Sequence, residues 1–149
     1  MARGALKAFV DHVSGRTTRG AVAGGANRMR EFATIQLRVA EATACIDAAQ
    51  LMLHRDLRET FDKVSRGEPI SLDFRMRNRL THTFSAKLLT QAVDVCFAAL
   101  GGSALGLHHP VQRFWRDIHA VASHISLNWD AVGAMYGQHA FGLEPKGQY

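Results

Sequence analysis

HHPVQRFWRDIHAVASHISLNWD, residues 108–130, decides how this chain is read. It gathers Arg113, Trp115, Arg116, Asp117, His119, His124 and Trp129 into a stretch whose apolar positions keep a helical period. Such a stretch is either the seam of a helical bundle or one wall of a site. Pro110 follows His109, and proline is well placed at a first helical position, where its missing N–H costs nothing. The spacing therefore predicts a helix from His109-Pro110 to about His139, finishing before Gly142. Rotation by about 100° per residue places Phe114, Ile118, Val121, Ile125 and Val132 on one core stripe. Arg113, Asp117 and His124 fall within about 40° of each other, roughly 80° round from that stripe. They occupy the shoulder of the buried face, and Arg113 and Asp117 stand at i, i+4, where they can pair.

Working outward from that helix, Ser71 is an N-cap for an upstream helix reaching about Leu100. Its inward series is Met76, Leu80, Phe84, Leu88, Ala92, Val95 and Ala99, and Gly101-Gly102 end it. Before it, a helix from near Asn27 to about Ser65 carries Ile35, Val39, Ala42, Ile46, Ala49, Leu53, Leu57, Phe61 and Val64 in steps of three or four. At 1.5 Å per residue it would be roughly 55 Å long. Gly67 and Pro69 stop it, as glycine near a helix end with proline beyond should. A first helix covers about Arg3 to Val13. Between the first two, GRTTRGAVAGGAN (15–27) reads as a mobile or ligand-contacting loop. With no strand pattern, long helices joined by short connections predict an all-α fold, an antiparallel four-helix bundle forming a single domain over residues 1–149.

Charge and cysteine usage narrow the classes. The net charge is +5, but the 18 Lys and Arg are interleaved with 13 acids, as in RDLRE and FRMRNR. That pattern fits solvated helix surfaces and no nucleic-acid partner. AVDVCFAALGGSALGL is interrupted by Asp94 and by glycines, so no membrane span is expected. The N-terminal MARGALKAFVDHV has no signal-peptide core. Cys45 and Cys96 lie in apolar helical patterns without CxxC, which predicts free thiols and a cytoplasmic protein. No metal site is predicted: His119 and His124 diverge by about 140° on a helix, and HExxH, ExxH and GxSxG are all missing.

The order ALGGSAL, HPVQRFWRD, HAVASH and YGQHAFGLEP resembles the C-terminal helical domain of the acyl-CoA dehydrogenase superfamily. Residues Gln112 to His124 are most similar to its flavin-dependent monooxygenase branch, the oxygenase components of two-component hydroxylases. The resemblance is specific from Gly101 to Gly142 and weaker before that. It implies that the chain is the C-terminal part of a longer flavoenzyme, since family members are more than twice this length. They place a helical domain and a β-domain before the bundle and are typically tetrameric through these helices.

The resemblance also implies roles for individual residues. A dehydrogenase of this superfamily often carries its catalytic glutamate where this chain has Ile125, and Ala120 to Asn128 hold no carboxylate. A histidine at the position of His124 faces the flavin in the monooxygenase relatives, where imidazole can hydrogen-bond a reacting oxygen or position the substrate. Arg16 matches an arginine that contacts the flavin phosphates of a neighbouring subunit, although a solvated loop arginine fits the residues equally. Gly101 and Gly102 match a turn that lets backbone approach the cofactor, and a plain helix cap reads as well. The glutamine that dehydrogenases often place three residues before this turn is Ala98 here. Arg116-Asp117 reads as a structural ion pair, and Trp115 and Trp129 as packing residues. The function so implied uses reduced flavin, FMN or FAD, and O2 on a small organic substrate. Its partners would be a flavin reductase and further copies of the chain, in a dimer or tetramer. An acyl-CoA dehydrogenase-like oxidoreductase domain and a non-catalytic helical oligomerisation module stay open as alternatives.

Overall fold

The computed structural model describes residues 1–17 and 28–147. Residues 18–27, most of the expected Gly-rich loop, lie outside the described residues. Five α-helices account for most of the described chain: α1 (Ala2–Gly15), α2 (Ala33–Ser65), α3 (Leu72–Ala99), α4 (Pro110–Ala122) and α5 (Trp129–Ala140). Short 3-10 turns occupy Met29–Glu31, Gly101–Leu105 and Ile125–Leu127. Among the described residues there is no strand, only an isolated bridge between Thr17 and Arg28. No described helix is long and apolar enough to cross a membrane.

The contacts divide the chain into two compact units, Met1–Ile46 with Leu89–Ala120, and Asp47–Leu88 with Val121–Tyr149. Phe9, Val93, Cys96, Leu100 and Val111 form the fully buried centre of the first unit. Gly4 packs closely there: a Cβ on it would sit 2.8 Å from Cζ of Phe114, whose ring would have to shift. The second unit has a smaller apolar core of Met76, Val132 and Met135, flanked by Leu72 and Tyr136. Polar pairs supplement it. Arg55 donates to Asp56 and Thr81, Arg77 pairs with Glu59, and Asn78 donates to Thr60. Ala49 meets Ser85, Arg55 meets Thr81 and Glu59 meets Arg77, so α2 and α3 run antiparallel in this unit.

The expected caps are present. Gly67 has φ 67°, its N–H donates to the Val64 carbonyl, and the Glu68 N–H donates to that of Lys63. This is the paired Schellman arrangement that closes a helix on glycine. Ser71 Oγ accepts from the Phe74 N–H at 3.2 Å. Pro110 is the first residue of α4.

Two expectations fail. Ile35, Ala42, Ile46 and Ala49 are buried, but Leu57, Phe61 and Val64 are exposed. The apolar series from Ala49 to Leu53, Leu57 and Phe61 advances in steps of four, each rotating about 40° past a full turn, so it drifts about 120° off the buried face. Asp56, seven residues beyond Ala49 and therefore on its face, takes the inner position at 1% exposure. The predicted fourth helix is also not continuous. His124 and Asn128 both adopt extended backbone, splitting it into α4 and α5 with a 3-10 turn between them. Val121 and Ile125, expected in the core, are exposed. Side chains that bond nearby backbone compete with helix, and His124 and Asn128 both do so here. Asn128 ahead of Asp130 was the readable N-cap signal.

Candidate functional site

Arg16 and the Gly101-Gly102 turn, assigned separately from the sequence, come together in the first unit. Residue 101 has φ 65°, a left-handed conformation that turns the chain sharply after α3. Such a helix end leaves carbonyls without intrahelical donors. Nη1 of Arg16 donates to the Leu100 carbonyl at 3.2 Å and to Ser103 Oγ at 2.9 Å. Ser103 Oγ in turn donates to the same carbonyl at 3.0 Å. Arg16 itself follows α1 in extended backbone, so the ends of two helices are tied by one guanidinium. Both glycines are exposed, and a Cβ built on either meets nothing within 4 Å.

Three histidines, His12, His108 and His109, stand near Arg16. His109 is 6% exposed, its Nδ1 accepts from the Val111 N–H at 3.3 Å, and its ring lies edge-on to His12 with centroids 4.7 Å apart. Buried Nε2 atoms of both histidines have no hydrogen-bond partner. Burial, then the neighbouring charges of His12, His108 and Arg16, hold the His109 imidazole below its ordinary pKa. These groups and the open glycine backbone fit a phosphate-bearing cofactor. Arginine supplies a fork of donors, and the two orphaned ring atoms mark polar capacity that the protein itself does not satisfy.

His124 belongs to the second unit. It is exposed and sits in the break between α4 and α5, not on the shoulder of a continuous helix. Its Nδ1 accepts from the Ser126 N–H at 3.2 Å, so the ring caps the following 3-10 turn. Ile125, at the position where a dehydrogenase would hold its base, is 71% exposed and borders a cavity together with Ser126. The predicted Arg113–Asp117 pair forms at 3.7 Å on the surface. Asp117 thus pairs with Arg113 and not with Arg116, because i, i+4 neighbours share a face and adjacent residues do not.

One constellation escaped the sequence reading. Asp94 Oδ1 accepts from Trp115 Nε1 at 2.7 Å and lies 2.9 Å from His119 Nε2. Phe97 stacks on the Trp115 ring at 4.9 Å. The signal was Asp94 itself, a lone carboxylate in an apolar helical segment.

Comparison with known proteins identifies the family. The family described as acyl-CoA dehydrogenase, C-terminal domain, matches residues 1–129. The oxygenase component of an FADH2-dependent resorcinol hydroxylase from Rhizobium sp. (strain MTP-10005) is 53% identical over 99% of this chain and 37% of its own length. The crystal structure of 3-HSA hydroxylase from Rhodococcus sp. RHA1 matches with a TM-score of 0.85 and 32% identity, over 98% of this chain and 37% of that one. XiaF from Streptomyces sp., solved in complex with FADH2 and glycerol, gives a TM-score of 0.86 at 25% identity, over 99% of this chain and 36% of its own. The chain therefore spans little more than a third of the length of these relatives.

Proposed function

The chain belongs to the family of acyl-CoA dehydrogenase C-terminal domains, and from that premise we propose that it is the helical C-terminal part of a flavin-dependent monooxygenase. The observation that carries this reading is the 53% identity, across nearly the whole chain, to the oxygenase component of a resorcinol hydroxylase. In this reading a partner reductase delivers reduced flavin and the substrate is a small aromatic. The absence of a carboxylate from Ala120 to Asn128 argues against α-proton abstraction by a base in that segment. When bound, the flavin supplies the oxygen-activating chemistry. In the first unit Arg16 contacts the phosphates of a flavin held by a neighbouring subunit and the Gly101-Gly102 turn lets backbone approach the cofactor; in the second unit His124 offers a hydrogen bond towards a flavin ring.

Leu57, Phe61 and Val64 form an exposed apolar row on α2, and Phe141 and Leu143 are exposed beyond α5. Apolar surface of this kind favours self-association, which supports a homo-oligomer, and free Cys45 and Cys96 are in keeping with a cytoplasmic setting. The test is to purify the natural polypeptide that carries this sequence and supply FADH2 from a reductase, isotopically labelled O2 and resorcinol. Incorporation of one labelled oxygen into the ring supports the reading. Oxidation of FADH2 without any hydroxylated product from resorcinol or related phenols would overturn it.

A further inference from the structure

We propose that Arg79 and Lys146 form an anion subsite that selects the ionised form of a small phenol, in the cavity bordered by the turn after His124. The assignment rests on the hydroxylase reading for the identity of the ligand, and on the cavity itself for the charge. The cavity has a volume of about 250 Å³, and its lining includes Arg79, Ile125, Ser126, Val132, Met135 and Lys146. An engineered apolar cavity of about 150 Å³ is enough to take benzene, so a ring bearing one or two oxygens fits here. Val132 and Met135 present an apolar wall from α5, while Arg79 comes from α3 and Lys146 from the segment beyond α5. Two cations line this space, and no carboxylate does among the described lining residues.

Arg79 Nε is buried without a hydrogen-bond partner. A desolvated, unpaired donor on a charged group is costly, and an anionic oxygen within reach would relieve it. The segment carrying Lys146 is held in place, because its N–H donates to Gln138 Oε1 at 3.0 Å. A carboxylate is ionised at neutral pH without assistance. A phenol, whose ordinary pKa is about 10, is not, so nearby cations shift its equilibrium towards the ionised form, which they cannot do for a carboxylate that is already ionised. Ionisation makes the ring more electron-rich at its ortho and para carbons, where an electrophilic oxygen would add.

4-Nitrophenol is a suitable probe, since only its phenolate absorbs visible light. With the chain in saturating excess, the apparent pKa of the probe should fall by about one unit, the size expected when opposite charges lie close by. Arg79→Gln and Lys146→Gln should each remove most of that fall, while Arg79→Lys and Lys146→Arg keep it. Lys146 lies outside the helices, so its variant remains informative even where Arg79→Gln loses helicity. The proposal is overturned if the bound probe titrates at or above its free value, or if uncharged 4-nitroanisole binds as tightly. Displacement of the probe by benzoate at lower concentration than by phenol would overturn the phenol assignment. No flavin is present in the measurement. A pKa fall without hydroxylation by the natural polypeptide would sink the flavin reading and leave the subsite standing, and hydroxylation without the fall would sink the subsite alone.

Discussion

Gly101 and Gly102 are adjacent and alike in exposure, yet alanine at the two positions should act in opposite directions. Gly101 has φ 65° and a Cβ there meets nothing within 4 Å, so the cost of alanine is a backbone cost alone. A left-handed L-residue costs about 1–2 kcal/mol, offset by about 0.4–1 kcal/mol from the stiffer unfolded chain. Gly101→Ala should therefore lose about 1 kcal/mol. Gly102 is not among the positive-φ glycines and is equally open, so Gly102→Ala should gain about 0.5 kcal/mol from the unfolded-chain effect. With a urea slope of about 2 kcal/mol per M, the two midpoints should differ by about 0.7 M, on either side of the parent. Coincident or reversed midpoints would refute the conformational argument. The same pair tests the cofactor role. In the natural polypeptide a methyl at Gly102 should weaken flavin binding about tenfold, or about 1.4 kcal/mol, while stability is undiminished. Unchanged affinity in that variant would leave the turn as a helix cap only.

Three further outcomes are expected. His124→Ala should lower product formed per FADH2 oxidised roughly a hundredfold, as removal of a positioned proton donor does, and remove a cap worth about 1 kcal/mol; coupling assays and urea midpoints read the two effects separately. His109 is held below its ordinary value of 6.5 by burial and then by His12, His108 and Arg16, so the unfolded chain binds more protons there. The stability it contributes is complete above pH 6.5 and is lost as pH falls towards the depressed folded value. Urea midpoints should decline on that side, and His109→Asn, which keeps an N-cap acceptor, should decline less. Burial pushes the Cys96 thiol up to about 12, so iodoacetamide should modify half-buried Cys45 first, with Cys96 reacting only on denaturation, as mass spectrometry of the native and unfolded chain will show.

The helices were legible because their punctuation is local. Gly67, Ser71 and Pro110 act through their own backbone and hydrogen bonds, and such signals survive in any context. The registers beyond Ala49 and beyond Ala122 were not legible. An apolar series advancing by fours can be followed by eye while it rotates off the core, and only α3, whose Arg77 stands 3.7 Å from Asp56, shows that Asp56 is the inward residue. Likewise the rotational position given to His124 assumed a helix that Asn128 and His124 interrupt. The tie between Arg16 and the turn at Gly101 joins positions 84 and more residues apart. Resemblance gave each a flavin contact separately; no spacing rule could have joined them.

The hydrogen bond between the Ser126 N–H and His124 Nδ1 has a consequence for tautomerism. An imidazole that accepts at Nδ1 and is neutral must carry its hydrogen on Nε2. The backbone of the turn therefore fixes the polarity of the ring's outer edge before any ligand arrives. A partner meeting Nε2 meets a donor, suited to an oxygen lone pair and unsuited to an O–H that needs its hydrogen removed. In a catalytic cycle, the three residues His124, Ile125 and Ser126 would act as a directional element. In the proposed site the imidazole would offer a hydrogen bond outward from Nε2 while Nδ1 is engaged by the Ser126 N–H.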